Sequence, residues 1–353
     1  MNVLIFLAGA ALSIQPLEGD PTRVVVTAEN VPSKCSFSFY RKAEPAKAQG
    51  DDGAPVVRQS PSSLFGERKR EGNVITFVPA VALTPGETYV ANLEFIVGES
   101  VRKEYYVPKE KGVAPGLVSV YPGGETLPAN LLKFYLHFDQ AMREGREIFD
   151  QIHLKDAETG VSVKSPWRRQ ELWSDDAKRL ILFIHPGRIK QGLQLRAEMG
   201  PVLEEGKKYT LTISGDVRGA RGLAMGKDYE MSFKTSAPVR EQVRPEQWAL
   251  EIPRAGSGEP LIVTTGSALD PYLVMRHCEI PGKGLAKVEW NDSQKVFRFF
   301  PEQKWAAGDY ELEVGQYLED LAGNTPVRVF DTDLDAENGN EKPPVLKRSF
   351  TVD

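Results

Sequence analysis

The sequence predicts an all-β protein made of tandem antiparallel β-sandwiches, and three observations predict it. Short alternating apolar runs are separated by Gly, Pro, Asp and Asn, as half-buried antiparallel strands require. Helical periodicity is nearly absent. A strand–Pro–apolar–Gly–Tyr–strand pattern recurs three times along the chain, the mark of a repeated structural unit.

The clearest strands are Arg23–Ala28, Lys34–Tyr40, Leu132–Phe138, Leu180–Ile184, Tyr209–Ile213, Tyr229–Thr235, Leu261–Thr264, Val296–Phe299, Tyr310–Val314 and Ser349–Val352. In Leu180–Ile184 and Tyr209–Ile213 alternate positions are bulky and apolar, so that one face can be buried. A single short helix is expected, over Arg143–Asp150.

The first copy of the repeat runs Phe77-Val-Pro79, Leu83, Gly86, Tyr89 and a strand. The second runs Ile184-His-Pro186, Leu203, Gly206, Tyr209 and a strand. The third runs Phe299-Phe-Pro301, Trp305, Gly308, Tyr310 and a strand. Proline lacks an N–H and stops ladder pairing. Glycine accepts the positive φ of a reversal. The apolar residue plugs the end of a core, and the tyrosine ring is buried while its hydroxyl reaches backbone upstream. That arrangement is a tyrosine corner, so the expected fold is tandem immunoglobulin-like β-sandwiches with structural corners at Gly86/Tyr89, Gly206/Tyr209 and Gly308/Tyr310.

The later two units share more. Trp173-Ser-Asp-Asp176 and Trp290-Asn-Asp-Ser293 each precede a strand. Asp216–Gly219 and Glu319–Asn324 are turn-rich segments before expected last strands ending in Phe233 and Phe330. The order Val118-x-Val120-x-Pro122, Leu136-x-Phe138-Asp139-x-Ala141-Met142, Leu180-x-Leu182, Gly206-x-x-Tyr209 and Phe233-x-Thr235 resembles the bacterial immunoglobulin-like domains first named from S-layer proteins (the SbsA type). Gly308-Asp-Tyr310 followed by Leu318–Asn324 is similar to the same family. The resemblance covers about residues 115–335, and the first unit matches only at its corner. It implies exported or cell-surface modules that act as spacers, adhesion units or assembly units, without catalytic residues. The second unit departs from the pattern by an insertion, Gly187–Pro201, and by Arg218 and Arg221 near its turn.

A length of 353 residues fits two to three domains of roughly 100–150 residues each. The expected layout is a signal segment over residues 1–16, then sandwiches at 17–112, 113–237 and 238–353. Linkers are expected at Pro108–Pro115 and Ser236–Pro245, and long polar loops at Glu44–Gly72 and Asp335–Pro344. Val3–Leu12 is apolar but too short to span a bilayer. With small residues at Ala10–Ser13 it fits a cleaved export signal, although no Lys or Arg precedes it; the alternative is a first strand, against which Gly9 and the Ala-rich end weigh. No later stretch is long and apolar enough for a membrane helix. The expected location is secreted, periplasmic or cell-surface.

Hydrophobic residues make up 41% of the chain, charged residues 26%, and the net charge is -5. That balance is globular and does not point to nucleic acid. Cys35 and Cys278 fall in different expected domains and read as small apolar residues. His137, His153, His185 and His277 have no partner at zinc spacing. No nucleophile elbow or phosphate loop is present. Asp331-Thr-Asp333-Leu-Asp335-Ala-Glu337-Asn338 alternates oxygen ligands as calcium loops do, but lacks the sixth-position Gly and twelfth-position Glu of an EF-hand, so calcium is at most a looser loop ligand and no other cofactor is expected.

Residues 164–196 concentrate basic and aromatic side chains. Trp173 occupies the repeat position of Trp290 and reads as a plug, which leaves Trp167 with Arg168 and Arg169 as the candidate ligand surface. The reading is a non-enzymatic exported module for adhesion, scaffolding or envelope assembly, whose partner is a protein or glycan of the cell envelope. The alternative is a carbohydrate-binding accessory protein, in which an aromatic platform such as Trp167 with a neighbouring Tyr would be solvent-exposed. An enzyme, such as a glycan hydrolase, would require paired carboxylates in a cleft.

Overall fold

The structure, a computed structural model, describes residues 9–42, 62–96, 99–109, 111–331 and 345–353. They divide into two compact units, Met1–Pro115 with Arg218–Ala224, and Gly116–Val217 with Met225–Asp353.

In the first unit the strands are β1 (Ala11–Leu17), β2 (Asp20–Glu29), β3 (Cys35–Arg41), β4 (Gly66–Glu71), β5 (Val74–Pro79), β6 (Thr88–Phe95) and β7 (Ser100–Tyr106). They form sheets of order β1-β2-β5-β4 and β3-β6-β7. Alternate residues of β2 and β5 (Val24, Val26, Ala28, Ile75, Phe77) meet Phe37, Phe39, Tyr89 and Leu93 in one apolar cluster. Phe39 and Phe77 touch edge to face at 6.1 Å between centroids.

Two expectations change here. Residues expected to belong to a cleaved signal form β1, which pairs with β2 from Ala11 opposite Glu29 onward. Leu12 and Ile14 alternate onto the core, and this two-residue period gives the segment a place in a sheet. Residues 1–8 lie outside the described residues. The polar stretch Glu44–Gly72, expected as one loop, ends in β4, which pairs along its length with β5. Its charged sequence GERKRE is exposed and keeps the sheet edge polar. Residues 43–61 lie outside the described residues.

The second unit holds two sandwiches. One contains β8 (Leu117–Tyr121), β9 (Thr126–Pro128), β10 (Lys133–Phe138), β11 (Ile152–Asp156), β12 (Arg179–Phe183), β13 (Lys208–Ile213) and β14 (Tyr229–Ser236). Its sheets run β12-β10-β8 and β11-β13-β14-β9, closed over Phe134, Leu136, Leu180, Leu182, Leu211 and Phe233. The other contains β15 (Ala249–Glu251), β16 (Leu261–Thr264), β17 (Cys278–Glu279), β18 (Leu285–Trp290), β19 (Val296–Pro301), β20 (Gly308–Gly315) and β21 (Val345–Val352). Its sheets run β15-β16-β19-β18 and β17-β20-β21, closed over Val263, Phe297, Phe299, Trp305, Leu312 and Phe350.

The expected helix over Arg143–Asp150 is a 3-10 turn at Arg146–Asp150. Three short α-helices join it: α1 (Pro186–Ile189) and α2 (Gln194–Met199) inside the insertion, and α3 (Pro271–His277). Arg328–Phe330, expected as a last strand, is not one. Phe330 N donates to Asn324 Oδ1 at 2.9 Å, and its ring packs against the core of the preceding sandwich. The closing strand of that sheet is β21, paired with β20 over its whole length.

The three corners lie against three separate cores. Tyr89 Oη accepts from Thr84 N at 2.9 Å, and Tyr209 Oη accepts from Glu204 N at 2.9 Å. Gly86 and Gly206 take φ values of 79° and 81°, the left-handed region that a side chain disfavours. The third corner is one residue shorter between its apolar plug and its tyrosine, and Tyr310 Oη instead donates to Ala306 O at 3.1 Å. Leu83, Leu203 and Trp305 are all buried.

Candidate functional site

A buried cluster of ionisable groups lies where the two sandwiches of the second unit meet. It starts with β10. The sequence Lys133-Phe-Tyr-Leu-His-Phe138 alternates, so Phe134, Leu136 and Phe138 enter their own core while Lys133, Tyr135 and His137 share the opposite face. That face would ordinarily be wet. Here it meets α3 and the segment after β20.

Asp270 precedes α3 and caps it. Its Oδ1 accepts from Tyr272 N at 3.0 Å and Leu273 N at 3.3 Å, with Pro271 in the first helical position, the arrangement helix starts favour. Its Oδ2 accepts from Tyr135 Oη at 2.5 Å and lies 2.8 Å from Lys133 Nζ. Lys133 Nζ also lies 2.7 Å from Glu319 Oε2. The Lys133 side chain is 9% exposed and that of Asp270 is 1% exposed. Burial pulls the Lys133 ammonium down, but Asp270 and Glu319 outweigh it and hold the group above the ordinary lysine value. Burial, helped by Asp270, pushes the Tyr135 phenol well up.

An aromatic rim adjoins the ionic cluster. Tyr272 hydrogen-bonds His137 Nε2 and stacks on its ring at 5.2 Å. Trp290 meets Tyr121 at 6.2 Å and Tyr272 at 6.1 Å, edge to face. Arg179 lies 4.4 Å above the Tyr272 ring. Burial pushes Tyr272 up to about 12. Burial, with Arg179 second, holds His137 below its ordinary value. Both imidazole and phenol are therefore neutral at physiological pH.

The segment expected as a linker, Ser236–Pro245, is fastened on both sides. Asn130 Oδ1 accepts from Val239 N at 2.9 Å and its Nδ2 donates to Val239 O at 2.7 Å. Asn324 Nδ2 donates to the same carbonyl at 3.0 Å. Leu132 N donates to Leu321 O at 2.9 Å. Asp320 holds the Leu321–Asn324 turn by accepting from Ala322 N and Asn324 N at 2.8 and 2.9 Å and from Asn324 Nδ2 at 2.8 Å. Burial pushes its carboxyl up to about 6 against these donors.

The candidate ligand surface does not present an aromatic platform. Trp167 is 5% exposed. Its indole donates to Ile152 O at 2.8 Å and meets Phe134 edge to face, so it fills the core. Arg168 is exposed, and Arg169 pairs with Asp150 at 2.5 Å. Trp173 and Trp290, alike in sequence context, each pack against the core of their own sandwich; Trp173 meets Phe138, and Trp290 also stands in the rim.

Arg188 lies in the insertion. It is buried, and its guanidinium donates to Gly200 O at 2.9 Å, Met199 O at 3.2 Å, Pro201 O at 3.0 Å and the Lys164 carbonyl. Burial lowers its pKa. Asp331, the first residue of the calcium-like run, is buried and paired with Arg240 at 2.8 Å; the rest of that run lies outside the described residues. Both thiols are free, and burial pushes Cys278 up to about 12. Among the described residues no three His, Cys, Asp or Glu side chains gather as a metal site, and no helix is long and apolar enough to cross a membrane.

No protein-family model matches the chain, and no curated protein matches it. Solved structures do match. The N-terminal part of the bacterial S-layer protein SbsC aligns at 11% identity and TM-score 0.27, covering 57% of this chain and 40% of that one. Native alpha-2-macroglobulin from Escherichia coli, spanning domains MG0-NIE-MG1, aligns at 11% identity and TM-score 0.24, covering 69% and 91%. The N-terminal eight Ig domains of Down Syndrome Cell Adhesion Molecule isoform 1.30.30 align at 11% identity and TM-score 0.17, covering 93% and 38%. The chain thus spans less than half of the S-layer fragment's length. Likeness at this level assigns no family, and the sandwich architecture rests on the sheets and cores described above.

Proposed function

We propose that the chain is a non-enzymatic, exported module of the cell surface that holds binding or assembly surfaces at a fixed spacing. Its sandwiches would occupy 17–112, 113–237 and 238–353, the first extended at its start by β1, and would be of the kind first named from S-layer proteins. One observation carries this reading: the ionisable side chains at the seam of the second unit bond to one another. Lys133, Asp270, Glu319, Tyr135, His137 and Tyr272 are spent on joining two sandwiches. A joint of this kind suits a spacer or an assembly unit, which must transmit position from one domain to the next. Its partners would be proteins or glycans of the envelope, met by loops at sandwich ends or by an open sheet face.

Burial of the Trp167 ring weighs heavily against the carbohydrate-binding alternative. The test of the main reading is accessibility on intact source cells. A membrane-impermeant amine label, or an antibody raised against the chain, is expected to reach it without lysis. Recovery of the unlabelled chain only from the cytosolic fraction would contradict the proposal.

A further inference from the structure

Lys133 Nζ stands 2.8 Å from Asp270 Oδ2 and 2.7 Å from Glu319 Oε2, at the seam between two sandwiches. Three features add to this pairing. Two backbone N–H groups, of Tyr272 and Leu273, already point at Asp270 Oδ1. The Tyr135 hydroxyl donates to Oδ2. A small cavity bordered by Lys133, Tyr135, Asp270 and Gln294 adjoins the triad, and the Nε2 of Gln294, itself 1% exposed, has no protein partner.

We infer that Lys133 and Asp270 condense into an intramolecular amide cross-link, with Glu319 as the proton carrier. The Lys133 ammonium gives one proton to Glu319 and becomes a nucleophilic amine. The nitrogen lone pair attacks Asp270 Cγ, and the carbonyl electrons move onto Oδ1, where the Tyr272 and Leu273 N–H groups hold the oxyanion. Glu319 returns its proton to Oδ2, and a second proton passes from the nitrogen to the same oxygen. The Cγ–Oδ2 bond breaks, water leaves, and Oδ1 becomes the amide carbonyl oxygen. Of the three ammonium protons one stays on the amide nitrogen and two depart in the water. The pair begins and ends with zero net charge, and no oxidant or co-reactant enters. The cavity lies where the departing water is formed, and Gln294 Nε2 is a donor it can meet.

The site also favours the product. A buried ammonium and carboxylate each carry a desolvation cost, which a neutral amide does not carry. The resulting bond would tie β10 of one sandwich to the start of α3 in the other. This inference is independent of where the protein resides.

The experiment is mass spectrometry of the full chain beside Lys133→Met and Asp270→Asn variants prepared in the same way. The wild type is expected to be lighter than its sequence mass by one water. Trypsin should fail to cut after Lys133, and a branched peptide should join the segments containing Lys133 and Asp270. Lys133→Met should show its full mass, and Asp270→Asn should lose ammonia in place of water, a signature that a merely structural pair would not give. Glu319→Gln should slow the mass change after refolding by about 10²–10⁴-fold, with a thermal melt confirming that it folds. The wild-type mass decides the matter even where a variant fails to fold. Folded wild type that keeps its full mass after prolonged incubation at neutral pH overturns the inference, as does a water loss that persists in Lys133→Met.

Discussion

Tyr89 and Tyr209 each accept a partly buried backbone N–H five residues upstream, whereas Tyr310 donates to an exposed carbonyl four residues upstream. The difference sets an order of cost. Removing the hydroxyl in Tyr89→Phe or Tyr209→Phe leaves an N–H without its acceptor, a loss of about 1–3 kcal/mol. In Tyr310→Phe water can replace the donor, so the loss is expected to be smaller, as urea titration of the three variants will show. Asp320 gives a pH dependence of definite sign. Its folded value of about 6 stands above the ordinary 3.8, so between these values the folded chain holds a proton that the unfolded chain has released. Its contribution to stability is full below 3.8 and is lost as pH rises through about 6. The margin of wild type over Asp320→Asn should therefore be wider at the acid end of this window than at neutral pH; equal margins in thermal melts would contradict it. The corners were legible in sequence because Pro, Gly and Tyr act within a few positions of each other. Trp167 misled because its acceptor, Ile152 O, comes from a different strand, and nothing local signals that its ring turns inward.

The strands were legible where one face is apolar, as in β10, β12, β13 and β16, because a two-residue period needs no partner to be recognised. What stayed hidden was the use of the other face. Lys133, Tyr135 and His137 alternate with the core residues, and only the arrival of Asp270 and Glu319 from far along the chain buries Lys133 and Tyr135. A local sign did exist for α3: Asp270-Pro271 is a capping residue followed by a first-turn proline, ahead of Leu273 and Val274. For β4 the charged sequence GERKRE concealed a strand, since an edge strand needs polarity rather than alternation. The insertion at Gly187–Pro201 depends on one side chain. Arg188 reaches carbonyls at both ends of α2's exit and at Lys164, a fork that lysine's single ammonium cannot match. Arg188→Lys should cost about 1–3 kcal/mol and should speed proteolytic cleavage within 187–201 ahead of cleavage elsewhere. Unchanged cleavage kinetics would show that the helices hold themselves.

At the scale of the molecule, the sequence disclosed how many corners there are but not how firmly two neighbouring sandwiches are joined. Ser236–Pro245 has the composition of a linker, rich in Pro and charge, and composition cannot reveal that Asn130 and Asn324 converge on Val239. Asn130→Ala removes both of its bonds to that residue, and limited proteolysis of the full chain is expected to cut within 236–245 where the wild type resists. Breaking the ionic contact by Lys133→Ala without any cross-link present should cost about 3–5 kcal/mol, because Asp270 is then buried without its cation. The seam also bears on inheritance. A recombination event that exchanged either partner alone would strand an ammonium on one side, or carboxylates on the other, beneath a surface never shaped for them. Genetic shuffling should therefore move these neighbours as a couple, and descendants that lost one should have repainted the exposed wall of the survivor.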